Sequence, residues 1–381
     1  MSETGITTNL PEIVPVLSRY QELITDGLRQ TLQSSREALR VPKAAGPLLD
    51  DFYGQIEYHL GWRSPDLTPV RANPGKLLRP TLLLLSVELA AGSEGAGQRE
   101  RAELVRRAVP AAVSVELIHN FSLVHDDIED GDEVRRHRPT LWKIWGIPQA
   151  INTGDGIFGI ARAAIWNLLD AGVTADVVAG LGRLIDHTCV ELCEGQYLDM
   201  TFERREDVSV EMYLDMIGRK TGALMACATE AGGWIGSSTH PARRAHLATF
   251  GHALGLAFQL RDDLLGIWAR DEQLGKTAAG DIRRKKMSLP VIHAKASANP
   301  ADRAALARVY SAPGEATDSQ IGDILDILQR THARERVGAE LLEKVREARA
   351  ALDAAAGSAP EAQQARQLLG TLVSFIEIAA T

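Results

Sequence analysis

The chain has 381 residues, 45% apolar and 24% charged, and its 42 Lys plus Arg against 50 Asp plus Glu leave a net charge of −8. These proportions are those of a folded globular protein and exclude a disordered chain, a collagen-like fibre and a disulfide scaffold. The acidic balance argues against a broad nucleic-acid-binding surface, and the sparse, odd set Cys189, Cys193 and Cys227 suits a reducing, cytoplasmic setting.

Apolar residues, mostly Ala and Leu, recur at three- and four-residue spacing, the signal of amphipathic helices. The pattern predicts helices over 11–39, 44–60, 76–92, 97–127, 148–171, 173–204, 209–233, 240–269, 286–297, 301–310, 318–353 and 360–379. Breakers separate them at Asn73-Pro74-Gly75, Gly92 to Gly97, Gly232-Gly233 and Gly357 to Pro360. There is no repeat and no long linker, so 1–381 reads as a single all-α domain, with 301–381 packing against the rest. No segment reaches the ~18 uninterrupted apolar residues of a membrane span. Glu3 and Glu12 precede the first basic residue, Arg19, which is the wrong polarity for a signal peptide. The end of the chain carries no prenylation box.

Two charged clusters interrupt this pattern. Asp126 and Asp130, with Asp127 beside them, end an apolar stripe of Leu117, Ile118, Phe121 and Val124. On a helix the two acids share a face at ~6 Å and repel by roughly 3 kcal/mol at an effective dielectric of about 20. Such a pair wants a cation, and carboxylates without His or Cys companions suit Mg²⁺. A solvated helix end is the bland alternative. An EF-hand is not, because Ile128 stands where an oxygen ligand is needed. The second cluster, Asp262-Asp263 after Gln259, lies on another apolar run. Cations accompany both clusters: Arg135 and Arg136, Lys220 beside Thr221, Lys276, Lys285 and Lys286, and Lys76 with Arg79. His119 precedes Asp126 by two helical turns. Acids for metals and two groups of cations for phosphates suggest two diphosphates bound side by side.

Four motifs then occur in order: Gly75-Lys-x-x-Arg-Pro80, Asp126-Asp-x-x-Asp130 followed by Arg135-Arg136, Lys220-Thr221, and Phe258-Gln-x-x-Asp-Asp263 leading to Gly275-Lys276. In these the chain resembles the trans-isoprenyl diphosphate synthase (polyprenyl synthetase) family over about residues 45–295. The resemblance implies an all-α isoprenoid synthase fold of about a dozen helices around a central cavity, usually a homodimer. It implies that Asp126, Asp130 and Asp262 bind three Mg²⁺ ions. Arg135, Lys220, Lys276 and Lys286 would neutralise the allylic diphosphate, with Thr221 and Gln259 near the new carbocation. Lys76, Arg79, His119 and Arg136 would hold isopentenyl diphosphate. Phe121 and Ser122, five and four residues before Asp126, would set product length and favour geranylgeranyl diphosphate (C20) over farnesyl diphosphate (C15). A terpene cyclase on the same scaffold and a non-catalytic partner subunit are the rivals.

The chain departs from the family pattern at Pro74, Leu77, His137 and Gly266. Gly266 replaces a third Asp, which is expected to place more weight on Asp263 and Lys276. The cysteines, and Trp142, Trp145 and Trp166, read as core rather than ligands.

Overall fold

Ala- and Leu-rich periodicity dictates helix, and the structure is 80% helical. It is a computed structural model that describes residues 13–38, 46–70, 75–203, 205–269 and 279–380. In chain order the helices are α1 (Ile13–Ser18), α2 (Gln21–Ala38), α3 (Gly46–His59), α4 (Leu78–Ser93), α5 (Gln98–Arg107) and α6 (Val109–Glu129). A hairpin follows, β1 (Val134–Arg135) and β2 (Arg138–Pro139), then α7 (Leu141–Trp145), α8 (Ile147–Ala164), α9 (Asn167–Asp170), α10 (Ala175–Phe202) and α11 (Val210–Ile217). A π-helical turn over Gly218–Gly222 leads into α12 (Ala223–Gly236) and α13 (Pro241–Trp268). The last elements are α14 (Gly280–Arg283), α15 (Leu289–Ser297), α16 (Pro300–Ser311), α17 (Asp318–Arg330), α18 (Ala333–Ala356) and α19 (Gln363–Glu377).

Helix α4 is apolar on all sides through Leu82, Leu83, Leu84 and Leu85, so it can only be buried. It packs on α12, α12 on α13, and α13 on α18, while α6 packs on α8. Glycines allow these backbones to touch: a Cβ on Gly232 would lie 2.2 Å from the Leu83 carbonyl oxygen, and one on Gly251 2.4 Å from that of Met225. Thus α18, beyond the motif-bearing stretch, is part of the central packing rather than a cover. A smaller apolar cluster, including Ile282, Leu306, Ile324 and Leu328, ties α14 to α16 and α17.

Several expectations need correction. The helix expected over 97–127 is two, because Pro110 has no N–H to continue α5 and instead opens α6. The helix expected over 318–353 breaks at Thr331–His332, where His332 adopts φ 53°. The helix expected over 148–171 divides into α8 and α9 at Ile165–Trp166. Trp142 and Trp145 pack against the core, but Trp166 is 51% exposed. Cys189 and Cys227 are buried, whereas Cys193 is exposed.

The hairpin was not legible as helix or breaker. Its register pairs Val134 with Pro139 and Arg135 with Arg138, leaving Arg136 and His137 as a two-residue turn at φ 51° and 61°. Both left-handed positions are what a type I′ turn demands, which is why Gly would be at ease where His137 stands. His137→Gly is expected to raise stability by about 1 kcal/mol, or ~2 °C. An unchanged or lower melting temperature would mean that the imidazole makes a compensating contact.

Candidate active site

Helix α6 is anchored in the core by Leu117, Ile118 and Val124 and delivers its acids at its C-terminal end. That end carries the negative pole of the helix dipole, so the position adds to the repulsion between the carboxylates. Burial pushes the Asp126 carboxyl up to about 6, against the pull of Lys220 and with the further push of Asp130. Burial also raises Asp130, which faces Lys220, Asp199 and Lys286. Asp127 plays a different part. It is 2% exposed, and its Oδ1 accepts a hydrogen bond from Arg135 Nε at 2.6 Å. The pair fastens the hairpin to α6.

The second cluster divides the same way. The Asp262 side chain is 45% exposed, with Arg261 at 3.4 Å. Asp263 is 1% exposed and accepts from Tyr213 Oη at 2.6 Å, Gln259 Nε2 at 3.2 Å and the Leu289 amide at 3.2 Å. The added weight expected on Asp263 is therefore structural: it anchors α11 and α15 to α13. Thr221 Oγ1 donates to Gln259 Oε1 at 3.3 Å, which joins the third motif to the fourth.

Lys220 and Thr221 sit on the π-helical turn, a form that often marks a functional site because it re-aims side chains within a helix. The turn lies against Gly195 of α10, whose missing Cβ would be 2.3 Å from the Lys220 amide nitrogen. Lys220 Nζ donates to Asp199 Oδ2 at 2.5 Å. Burial alone would lower Lys286, but Asp199, Asp281, Asp263 and Asp130 outweigh it and hold the ammonium up at about 12. Lys286 thus stands between the acids of α6 and those of α13.

The remaining cations form the other half of the site. Burial lowers Arg79, opposed by the charges of Glu116, Asp262 and Asp126, so this guanidinium is shared between the two clusters. Its crowded surroundings lower Lys76 as well, and Asp262 counters that. Burial and the charges of Arg79, Arg136 and Arg135 keep His119 far below its usual range, hence neutral and able to donate a hydrogen bond. Gly75 is needed twice over: its φ is +94°, and a Cβ there would lie 2.7 Å from Arg136 Nη2. Its bare backbone lets the first motif lie against the hairpin arginine. Phe121 packs against Phe158 of α8 with centroids 5.0 Å apart and ring planes tilted by 54°, and the Ser122 hydroxyl donates back to the His119 carbonyl at 2.9 Å.

The structure therefore brings Asp126, Asp130, Lys220, Thr221, Gln259, Asp262, Lys286, Lys76, Arg79, His119, Arg135 and Arg136 to one region. Lys276 lies outside the described residues. Asp199, Tyr213, Asp281 and Phe158 were missed, because each is an ordinary helical residue until its through-space partner is known. Among the described residues no three His, Cys, Asp or Glu side chains converge into a ready-made metal cage. Mg²⁺ does not require one, since it takes one or two carboxylates together with waters and substrate phosphates. Two desolvated, mutually repelling carboxylates at the negative end of a helix fit that ion.

Fold and site together define an all-α protein with two acid clusters surrounded by Lys and Arg side chains. Residues 67–328 match the family model described as polyprenyl synthetase, and the chain belongs to that family. It is 39% identical over 329 residues to a (2E,6E)-farnesyl diphosphate synthase of Mycobacterium tuberculosis, covering 86% of this chain and 83% of the relative. It is 37% identical over 264 residues to a geranylgeranyl diphosphate synthase of the same species, covering 69% and 71%. The crystal structure of a polyprenyl synthetase from Streptomyces coelicolor A3(2) superposes with a TM-score of 0.80 at 33% identity, over 96% of this chain and 99% of that one. The fold is the all-α isoprenoid synthase fold, and the chain is a trans-prenyltransferase of the short-chain farnesyl or geranylgeranyl diphosphate synthase type. No described helix is long and apolar enough to cross a membrane.

Proposed function

We propose that this enzyme condenses isopentenyl diphosphate with an allylic diphosphate to yield geranylgeranyl diphosphate (C20). The observation that carries the product length is the Phe121–Phe158 contact, with ring centroids 5.0 Å apart and planes tilted by 54°, beside the small Ser122. A prenyl tail entering past Asp126 along α6 meets this pair of rings as a floor, and a close-packed interior does not let a tail through a filled volume. The greater identity to the farnesyl diphosphate synthase favours C15 as the second reading.

Asp126, Asp130 and Asp262 would hold Mg²⁺, three ions on this reading, and the ions would supply charge stabilisation for the departing diphosphate. Lys220, Lys286 and Arg135 face that same leaving group. Lys76, Arg79, His119 and Arg136 bind and orient isopentenyl diphosphate, so that its double bond meets the allylic cation. The Thr221 hydroxyl and the Gln259 carboxamide oxygen present dipoles to the cation. The allylic carbon–oxygen bond breaks to release inorganic diphosphate, the double bond of isopentenyl diphosphate forms the new carbon–carbon bond, and the released diphosphate takes up the proton lost from the adjacent carbon. No side-chain nucleophile takes part. Exposed Leu48 and Leu49 on α3 and exposed Ile147 and Ile151 on α8, helices that pack together, support assembly as a homodimer. The free thiols of Cys189, Cys193 and Cys227 support a cytoplasmic setting.

Product length is tested by incubating purified protein with isopentenyl diphosphate, Mg²⁺ and each allylic primer, then sizing the dephosphorylated products. C20 is expected from the natural chain. Phe121→Ala should lengthen the product and Ser122→Phe should shorten it. Unchanged lengths in both variants would move the floor elsewhere.

A further inference from the structure

The hairpin that carries Arg135 and Arg136 is clasped to the end of α3. Arg138 Nη1 donates to the Tyr58 carbonyl at 3.0 Å, Arg138 Nη2 donates to the Arg63 carbonyl, and Tyr58 Oη donates to the Pro139 carbonyl at 2.7 Å. His59, the last residue of α3, sits at this junction. Burial and the charges of Arg136, Arg135 and Arg138 push its imidazole down to about 3, while a hydrogen bond from Asn120 pulls the other way. The ring is therefore neutral, with one donor and one acceptor nitrogen. Its Nε2 is buried and has no hydrogen-bond partner among the described residues, and the same is true of Asn120 Oδ1 and Arg79 Nε. Leaving such atoms unsatisfied is costly, so three of them in one region call for an explanation. Asn120 itself is fixed: its Nδ2 donates to Glu116 Oε1 at 2.9 Å and to the Glu116 carbonyl at 2.8 Å, which turns Oδ1 the other way. Glu116 is 3% exposed. Burial raises its carboxyl to about 7, against the pull of Arg79, Asn120 and Arg136. None of His59, Asn120 and Glu116 belongs to the four motifs.

We infer that His59 is a positioning residue for isopentenyl diphosphate: through Asn120 and Glu116 it aims Arg79 and Arg136 at that substrate's diphosphate. The inference rests on the prenyltransferase reading. Its physical basis is an unspent donor and an unspent acceptor at one junction. With the proton on Nε2, His59 is the donor that Asn120 Oδ1 lacks, and hydrogen bonds that are long in a ligand-free site close when the ligand arrives. Asn120 holds the Glu116 carboxylate, and Glu116 is the carboxylate whose charge bears on both Arg79 and Arg136. His59 is also among the groups that keep His119 neutral. Guanidiniums in a crowd of like charge repel one another, so a fixed carboxylate behind them determines where they point. By this route α3, which holds no motif residue, fixes one half of the site to the other side of the hairpin.

The test is a double-mutant cycle with His59→Phe, which keeps a ring and removes both nitrogens, Asn120→Leu, which keeps the shape of the carboxamide, and the two combined. His59→Gln, which retains a donor, is the conservative control. Two quantities are measured on each folded variant. One is steady-state kcat and KM for the allylic substrate and for isopentenyl diphosphate. The other is calorimetric binding of isopentenyl diphosphate with no allylic partner present, which requires no turnover. His59→Phe is expected to weaken isopentenyl diphosphate about tenfold in both measurements and to leave the allylic KM within about threefold of its natural value. His59→Gln should recover at least about threefold of that loss. In the Asn120→Leu background, His59→Phe should cost less than about twofold more, because the link it breaks is already gone. Natural binding of isopentenyl diphosphate by His59→Phe, an equal rise in both KM values, or strictly additive losses in the double variant would overturn the inference. Should His59→Phe fail to fold, His59→Asn, too short to reach Asn120, is compared with His59→Gln on the same criterion. Absence of any prenyl transfer by the natural enzyme would instead overturn the reading on which the inference rests.

Discussion

Asp126→Ala is expected to lower turnover by at least about 10²-fold while leaving the fold intact, and Asp130→Ala and Asp262→Ala to behave alike. Burial already disfavours the charge of Asp126 and of Asp130, and Asp130 adds its repulsion at Asp126. Removing one relieves that repulsion, so stability should hold or rise slightly while the ligand to a charge-stabilising ion is lost. Asp127→Ala makes the contrast. Asp127 is buried against Arg135 at 2.6 Å, and its removal strands a guanidinium and loosens the hairpin, so its melting temperature should fall. Single-turnover rates and thermal denaturation on the four variants separate the two groups. Near-natural turnover in all three of the first group would remove the ion-binding reading of these acids.

Lys220→Ala should raise the KM for the allylic substrate and lower kcat, by 10- to 100-fold together, with little change in the KM for isopentenyl diphosphate. Lys76→Ala should do the reverse, raising the KM for isopentenyl diphosphate by about tenfold. The argument is placement. Lys220 is pinned by Asp199 at 2.5 Å, beside Asp126. Lys76 belongs to the Gly75–Arg136 side of the site, where Gly75 and the hairpin meet. On the proposed reading each ammonium reaches one diphosphate, so each deletion costs charge-assisted contact with one substrate. Initial rates with one substrate varied at saturating levels of the other read the split directly. If Lys76→Ala left the isopentenyl diphosphate KM untouched, the two binding halves would have to be reassigned.

The sequence by itself determined the helical class, the course of the long helices and the acid pair on α6. All are local properties: an apolar residue every third or fourth position defines a helix face, and a spacing of four puts Asp126 and Asp130 on one side of it. Local signals also explain the errors of segmentation. Pro110 and the left-handed turns at Arg136–His137 and His332 act within one or two residues, too short a range for periodicity to register.

Tertiary structure alone decided which acid does what. Asp126 and Asp127 are adjacent letters, yet successive helical residues point about 100° apart, so one turns toward Lys220 and the other is buried against Arg135. The same holds for Asp262 and Asp263. Lys220 meets Asp199, Tyr213 meets Asp263 and Phe121 meets Phe158 across helices distant in the chain. Such pairings depend on how helices cross and how closely glycines let them approach, not on the composition of either helix. Gly266 is the clearest case: in the sequence it is a missing acid, and in the folded chain the Asp281 carboxylate lies where its side chain would begin.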